Sequence, residues 1–257
     1  MLTGSELDDF IERGYVRVRE AFPSALADQC RLLAAQQLNI DLTDPAGWTT
    51  PVVRGLVQGE ALRDAANAPR LTDAVAQLLD PEAWWRRPNL GSFVVRFPCT
   101  EDPGDTGWHI DVSFHPEGDD RWFVNYRSRG RGLLMLCLLS DVGPADAPPR
   151  VLPGTHQEMA RLLYPAGEVG LPGAYGDQRS EIPLPETSDP VELATGEAGD
   201  VYLCHPFLVH AAGWPHPETA PRFIAQPPIG LPDAVRLDGA VDDLSLVASA
   251  IRAGLRR

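Results

Sequence analysis

Three side chains, two of them close in the sequence and the third far along the chain, could together bind a metal ion. His109 and Asp111 are separated by one residue, and His210 lies much further along the chain. On a β-strand, side chains two residues apart point to the same face, so the imidazole and the carboxylate would converge. Two histidines and one carboxylate hold non-haem Fe(II) on one face and leave the opposite positions open. We therefore expect an iron site at these three residues. The alternative for the pair alone is a surface turn with a hydrogen-bonded histidine.

The segment around His210 has the pattern of β-strands joined by turns. A β-rich run, Val201–Cys204, follows a Gly-Asp turn, the strand pattern resumes over 208–210, and Arg222–Ala225 returns as another strand. Arg222 could reach a carboxylate beside the metal, because a guanidinium pairs with a carboxylate through two parallel hydrogen bonds. His205 is the alternative to His210, although on a continuous strand it would face the opposite way.

Capping residues predict the helices around these strands. We expect a helix from Ser5 to Arg13 that Ser5 caps and Gly14 ends, an extended segment over Tyr15–Val18, and a helix from Ser24 to about Leu38.

A further helix is expected from Thr155 to about Leu163. Thr155 is a candidate N-cap, and Glu158, three residues later, would complete a capping box.

Four sequence pieces together resemble the phytanoyl-CoA dioxygenase family of Fe(II)/2-oxoglutarate-dependent oxygenases. They keep the order and rough spacing of that family and span nearly the whole chain: DDFIERGYVRVREAF, WHID, VLPGTH, and GDVYLCHPFLVH with PRFIAQPPI. The resemblance implies a mainly β fold with flanking helices, a double-stranded β-helix also called a jelly roll or cupin-like barrel. It implies iron bound by His109, Asp111 and His210, with Arg222 pairing the distal carboxylate of 2-oxoglutarate.

Two further residues are candidate contacts to 2-oxoglutarate. Arg96 lies on a predicted strand and alternates with apolar neighbours, so it would point either into the barrel or outward from an edge strand. Ala212 stands two residues after His210, where many members of the family carry a hydroxyl group.

The resemblance implies hydroxylation of an unactivated C–H bond in a small molecule. Fe(II) would be the cofactor, and 2-oxoglutarate and O2 would be consumed. Ascorbate would stimulate turnover, and succinate and CO2 would be released. Desaturation, ring closure and epimerisation remain open as outcomes. Two other classes compete with this interpretation: a cupin-like metalloenzyme that does not use 2-oxoglutarate, and a non-catalytic binding protein on the same barrel.

Several residues are candidates for contact with the substrate. Trp108, Phe114 and Trp122 would line an apolar pocket beside the iron or belong to the core, and Arg127, with Arg129 and Arg131, would either guide an acidic substrate or form a solvated loop. The segment 164–190 is rich in Pro, Gly and acidic residues, which favours either a lid over the site or an irregular loop without function.

Length and composition indicate one domain of 257 residues. We expect N-terminal helices over about 5–80, the barrel over about 84–230 and a C-terminal helix over about 241–255.

The net charge of −14 disfavours nucleic acid and anionic membranes as partners. The four cysteines have no paired metal-ligand spacing and the N-terminus has no secretory pattern, so we expect a cytoplasmic protein with free thiols. The apolar run Leu133 to Leu139 predicts a buried strand, with Met135 and Cys137 in the core.

Overall fold

A computed structural model describes residues 1–80, 83–174, 179–186 and 190–256. The helices are α1 (Gly4–Arg13), α2 (Ser24–Gln37), α3 (Glu60–Ala66), α4 (Pro69–Leu78), α5 (Thr155–Leu163) and α6 (Leu246–Arg256). The strands are β1 (Tyr15–Val18), β2 (Val52–Val57), β3 (Gly91–Arg96), β4 (Phe123–Val124), β5 (Arg131–Leu138), β6 (Arg150–Val151), β7 (Leu171–Pro172), β8 (Glu192–Leu193), β9 (Val201–Cys204), β10 (His210–Ala211), β11 (Arg222–Ala225) and β12 (Pro228–Gly230).

The strands form two main antiparallel sheets with helices outside them. The large sheet has the order β1-β9-β5-β11-β3-β2, and β12 also pairs with β5. A small sheet, β10-β6-β8, packs against one face of the large sheet, and β4 pairs with β7 separately. This mainly β architecture with flanking helices confirms the predicted fold class. Among the described residues the strands remain in separate sheets and do not close into a barrel.

The apolar strand β5 is buried on both faces. Leu133, Met135 and Cys137 belong to the core that the helices cover, whereas the even-numbered positions from Leu134 to Leu138 pack toward the small sheet. Alternate residues of a strand point to opposite faces, so one continuous apolar run serves two cores. The predicted burial of Met135 and Cys137 is confirmed.

The same alternation decides where the arginines of the large sheet point. Phe223 lies in the helix-covered core and Ile224 on the opposite face, so Arg222 shares the face that looks toward the small sheet. Arg96 is the register partner of Arg222 across β3 and β11 and lies on that face too. Both guanidinium groups therefore enter the space between the sheets, which settles the two orientations that the sequence left open for Arg96.

Capping at the N-terminus differs by two residues from the prediction. Thr3, not Ser5, is the N-cap of α1: its hydroxyl accepts from the Glu6 N–H, and the Glu6 carboxylate accepts from the Thr3 N–H. Gly14 ends the helix as predicted, with a left-handed φ of 85° that favours glycine.

The predicted capping box of α5 is wrong. Gly154 is the N-cap, and Thr155 is the first helical residue. The Thr155 hydroxyl instead donates to the Leu152 carbonyl at 2.7 Å and accepts from the Val209 N–H at 3.1 Å. A long-range partner therefore replaces the local one and ties the start of α5 to the residue before His210.

The 5–80 region contributes strands as well as helices, because β1 and β2 form the two edges of the large sheet.

In the described part of the chain, no helix has both the length and the apolar character needed to span a membrane.

Candidate metal centre and co-substrate pocket

Backbone pairing brings the two histidines of the predicted triad together. His109 and His210 form an antiparallel bridge, with each N–H donating to the carbonyl of the other at 3.0 Å, and their ring centroids are 4.5 Å apart. Asp111 lies outside any strand. The three side chains thus converge through this bridge, and the continuous strand expected over His109 and Asp111 is absent.

Hydrogen bonds fix which imidazole nitrogen faces the centre of the triad. The Nδ1 atom of His109 is 2.9 Å from the Gly107 carbonyl, and that of His210 is 2.9 Å from the Leu208 carbonyl. A carbonyl only accepts, so each Nδ1 carries the proton and each Nε2 keeps its lone pair. Both Nε2 atoms lie 3.9 Å from Asp111 Oδ1.

Local electrostatics favour the protonation states that a divalent cation needs. Burial lowers the pKa of His210, which keeps its imidazole neutral. Burial by itself would raise the pKa of Asp111, but the positive charge of Arg131 and its hydrogen bond to the carboxylate oppose burial and lower that pKa. The ligand atoms lie within 4.8 Å of one another. Two neutral imidazoles and one carboxylate fit the donor set of a non-haem Fe(II) centre.

Arg131 holds the second oxygen of the triad carboxylate. Its Nη1 donates to Asp111 Oδ2 at 2.6 Å, and its Nη2 donates to the Val112 carbonyl at 2.9 Å. Asp111 Oδ1 is thereby turned toward the imidazoles. Sequence reasoning missed this role; the available signal was a charged residue at the start of an otherwise apolar strand.

Two buried guanidinium groups lie on the same cavity as the triad. Arg96 and Arg222 are each 2% exposed. Arg96 donates to Asp105, which also pairs with Arg54. Arg222 donates to the Ala147 carbonyl, and its buried Nε has no hydrogen-bond partner. No carboxylate in the described ranges forms an ion pair with Arg222. Burial and the charge of Arg96 lower the pKa of Arg222 to about 9.

The cavity at this position measures about 320 Å³ and joins the triad to Arg222. Arg96 and Ala212 also line it, and Ala212 offers only a methyl group and a backbone carbonyl that accepts from Arg150 Nε at 3.1 Å. An unpaired buried cation is costly, so this pocket is suited to an anion. The arrangement can hold a divalent cation at one end and a carboxylate at the other.

A family model provides independent information on this site. The phytanoyl-CoA dioxygenase model matches residues 10–216, which include all three triad residues. The chain belongs to the phytanoyl-CoA dioxygenase family. No curated protein matches the chain in a direct sequence search.

Solved structures of similar fold include members with metal and 2-oxoglutarate. HygX from Streptomyces hygroscopicus with nickel, 2-oxoglutarate and hygromycin B bound is 17% identical with a TM-score of 0.56, over 91% of this chain and 90% of HygX. The epimerase SnoN in complex with Fe3+, alpha ketoglutarate and nogalamycin RO is 17% identical with a TM-score of 0.57, over 88% of this chain and 82% of SnoN. The carbocyclase SnoK is 17% identical with a TM-score of 0.51, over 94% and 89%. At 17% identity the similarity shows that this chain has the same fold as these three proteins.

A second cavity, of about 560 Å³, borders the triad on the side of His109 and Asp111. Trp108 and Trp122 line it, as does Arg131. Phe114 and Arg127 line neither cavity. Phe114 is buried beside Phe123, under the Arg129 guanidinium, and Arg127 donates to Glu168 and to the Val235 carbonyl. The three arginines of the 127–131 loop are thus held separately and do not form one basic patch.

Part of the 164–190 segment borders this second cavity. Ala174, Ser180, Ile182 and Leu184 line it, whereas 175–178 and 187–189 lie outside the described residues. Closure of this segment over a bound molecule stays a prediction.

The remaining histidines lie away from the triad. His205 is buried beside Phe10, His156 and Phe207, so the structure favours His210 over it. The ring of His115 contacts that of Trp122 at a tilt, and His216 pairs with Cys99 through backbone hydrogen bonds.

Proposed function

We propose that the protein is an Fe(II)/2-oxoglutarate-dependent dioxygenase. One observation carries the proposal: a single cavity has the His109, Asp111 and His210 donors at one end and the unpaired buried guanidinium of Arg222 at the other. 2-Oxoglutarate carries two carboxylates, so it is an acid that both ends could bind at once. Arg222 also argues against the two rival classes, since neither needs a buried cation there.

Each residue of the site has a separate task in this proposal. His109, Asp111 and His210 hold Fe(II), which, once bound, supplies oxygen activation coupled to oxidative decarboxylation of 2-oxoglutarate. Arg222 binds the distal carboxylate of the co-substrate in a buried setting, where a charge-assisted pair is strong. Arg96 and Arg54 share the single carboxylate of Asp105, so this cluster keeps a net positive charge beside the pocket.

The most direct outcome of this chemistry is hydroxylation of a small molecule with release of succinate and CO2. The bound molecules of HygX and SnoN support a metal, 2-oxoglutarate and a small-molecule substrate as the ligand set. SnoN is an epimerase and SnoK a carbocyclase, so products other than an alcohol belong in the product analysis. The four free cysteines and the Fe(II) requirement favour a reducing compartment such as the cytoplasm.

The proposal is tested by succinate formation without an added substrate. Incubation in air with Fe(II), 2-oxoglutarate and ascorbate should give slow, enzyme-dependent succinate release, and ascorbate should sustain it. The variant His210→Ala should reduce the rate to that of the blank, whereas Arg63→Ala, which alters an exposed side chain on α3, should keep it. Succinate release at equal rates in wild type and His210→Ala would contradict the proposal.

A further inference from the structure

The larger cavity beside the triad has a mostly apolar wall. Its lining includes two indoles and four aliphatic side chains: Trp108, Trp122, Ile110, Val112, Ile182 and Leu184. Its volume of about 560 Å³ lies within the range of small-molecule sites. His109 and Asp111 form one end of the cavity, so a molecule bound there would present its nearest carbon to the metal centre.

Trp108 gives this wall a fixed, flat surface. The Arg150 guanidinium lies 4.8 Å from the centre of the Trp108 ring. Arg150 is itself held by the carbonyls of Thr106 at 2.7 Å and Ala212 at 3.1 Å. The guanidinium therefore covers the indole on one side and limits its rotation. Trp122 contacts the His115 ring, with ring centroids 4.1 Å apart and the two planes tilted by 56°. Rigid aromatic walls favour flat ligands, which can stack on them.

Charge excludes a second class of ligand. Arg131 is the cation among the described lining residues; its Nη atoms donate to Asp111 and to the Val112 carbonyl, and its Nε is shielded from solvent. Arg121, on the neighbouring loop, pairs with Asp119 and Glu181. Arg179, next to the lining residue Ser180, is exposed to solvent and is not among the lining residues. A carboxylate or phosphate buried in this cavity would thus lack a partner, which is costly.

We infer that the substrate is an uncharged, flat, largely apolar small molecule with an aromatic or fused-ring portion. A free carboxylic acid or a coenzyme A thioester is disfavoured. The inference rests on the proposed function, because it assigns the larger cavity to the substrate and the smaller one to 2-oxoglutarate.

A pair of probes that share a naphthalene ring, one with a neutral alcohol and one with a carboxylate, tests the inference. 2-Naphthylmethanol and 2-naphthoate, with decanoyl-coenzyme A as a third probe, are titrated calorimetrically into protein loaded with Ni(II) and 2-oxoglutarate. We expect 2-naphthylmethanol to bind at least about tenfold more tightly than 2-naphthoate, since an unpaired buried carboxylate loses more than the roughly 1.4 kcal/mol that a tenfold change represents. Trp108→Ala should weaken the neutral probe by about tenfold or more. The control Trp85→Ala, at a tryptophan that is 61% exposed, should leave its affinity unchanged.

The outcomes separate the inference from the proposed function. Equal or tighter binding of 2-naphthoate or decanoyl-coenzyme A would overturn the inference, as would failure of the neutral probe to bind or its indifference to Trp108→Ala. Loading with Ni(II) and 2-oxoglutarate is measured first in the same titration. Loading without a preference for the neutral probe overturns the inference alone, whereas failure to load overturns the proposed function and the inference with it.

Discussion

Replacing Arg222 by methionine should stabilise the metal-free protein and weaken 2-oxoglutarate binding. The guanidinium is buried beside a second cation and has no carboxylate partner among the described residues. The lowering of its pKa from 12.5 to about 9 corresponds to about 5 kcal/mol against the charged form. Arg222→Met removes that cost and fills much of the same volume, but it also removes the hydrogen bond to the Ala147 carbonyl.

The two effects can be given rough sizes. Exchange of a buried charge for an apolar side chain commonly stabilises by about 1 to 4 kcal/mol, and loss of the hydrogen bond offsets about 1 of these, so we expect a net gain of about 0 to 3 kcal/mol. The co-substrate carboxylate would lose the guanidinium proposed to pair with it, which costs about 3 to 5 kcal/mol, or roughly 100- to 5000-fold in affinity.

Both effects are measurable on purified protein. Urea unfolding of metal-free protein gives the free energy of unfolding, and calorimetric titration of Ni(II)-loaded protein gives the 2-oxoglutarate affinity. Arg63→Met is the control, because that side chain is 57% exposed on α3 and should change neither quantity. A less stable Arg222→Met protein, or one that binds 2-oxoglutarate with wild-type affinity, would refute the reasoning.

Three further predictions concern the surroundings of the site. Arg131→Gln should lower Co(II) affinity by about 10- to 100-fold, because it releases the Asp111 carboxylate, and Arg131→Lys should recover part of that affinity. An unchanged Co(II) affinity in Arg131→Gln would show that Arg131 does not support the metal site. Burial lowers the pKa of His156 from 6.5 to about 4, so the unfolded chain binds more protons between those values and the free energy of unfolding falls as the pH drops. In urea unfolding of metal-free protein this residue alone should remove about 2 kcal/mol between about pH 7 and about pH 5, and a flat profile would contradict the burial argument. Gly254→Ala would place a Cβ 2.2 Å from the Gln157 carbonyl oxygen where α6 packs against α5. Thermal unfolding should show that the free energy of unfolding falls by about 1 to 3 kcal/mol. The control Gly4→Ala, whose Cβ would meet no atom within 4 Å, should show no such loss.

The sequence predicted elements whose signals are local. Gly14 ends α1, and short β-rich runs give β9 and β11, because a glycine in a left-handed conformation and a run of β-forming residues both act within a few positions. The caps were less predictable. Ser5 and Thr155 are both acceptable N-cap residues, and only the tertiary structure shows that Thr155 bonds to the Val209 N–H instead.

The site depended on long-range contacts that periodicity does not encode. Spacing suggested that His109 and Asp111 share a strand face, whereas the structure joins His109 to His210 by a backbone bridge. The contact of Arg131 with Asp111 forms across a loop with no regular pattern. The direction of Arg96 became clear only from its register with Arg222.

The most direct test of the central claim is an anaerobic titration of metal-free protein with Fe(II) and then 2-oxoglutarate, followed by visible absorption. The account predicts a metal-to-ligand charge-transfer band that appears only when both are present and that is lost in His210→Ala. Binding of Fe(II) without such a band would show that the triad holds a metal for another purpose, and would contradict the assignment of the Arg222 cavity to 2-oxoglutarate.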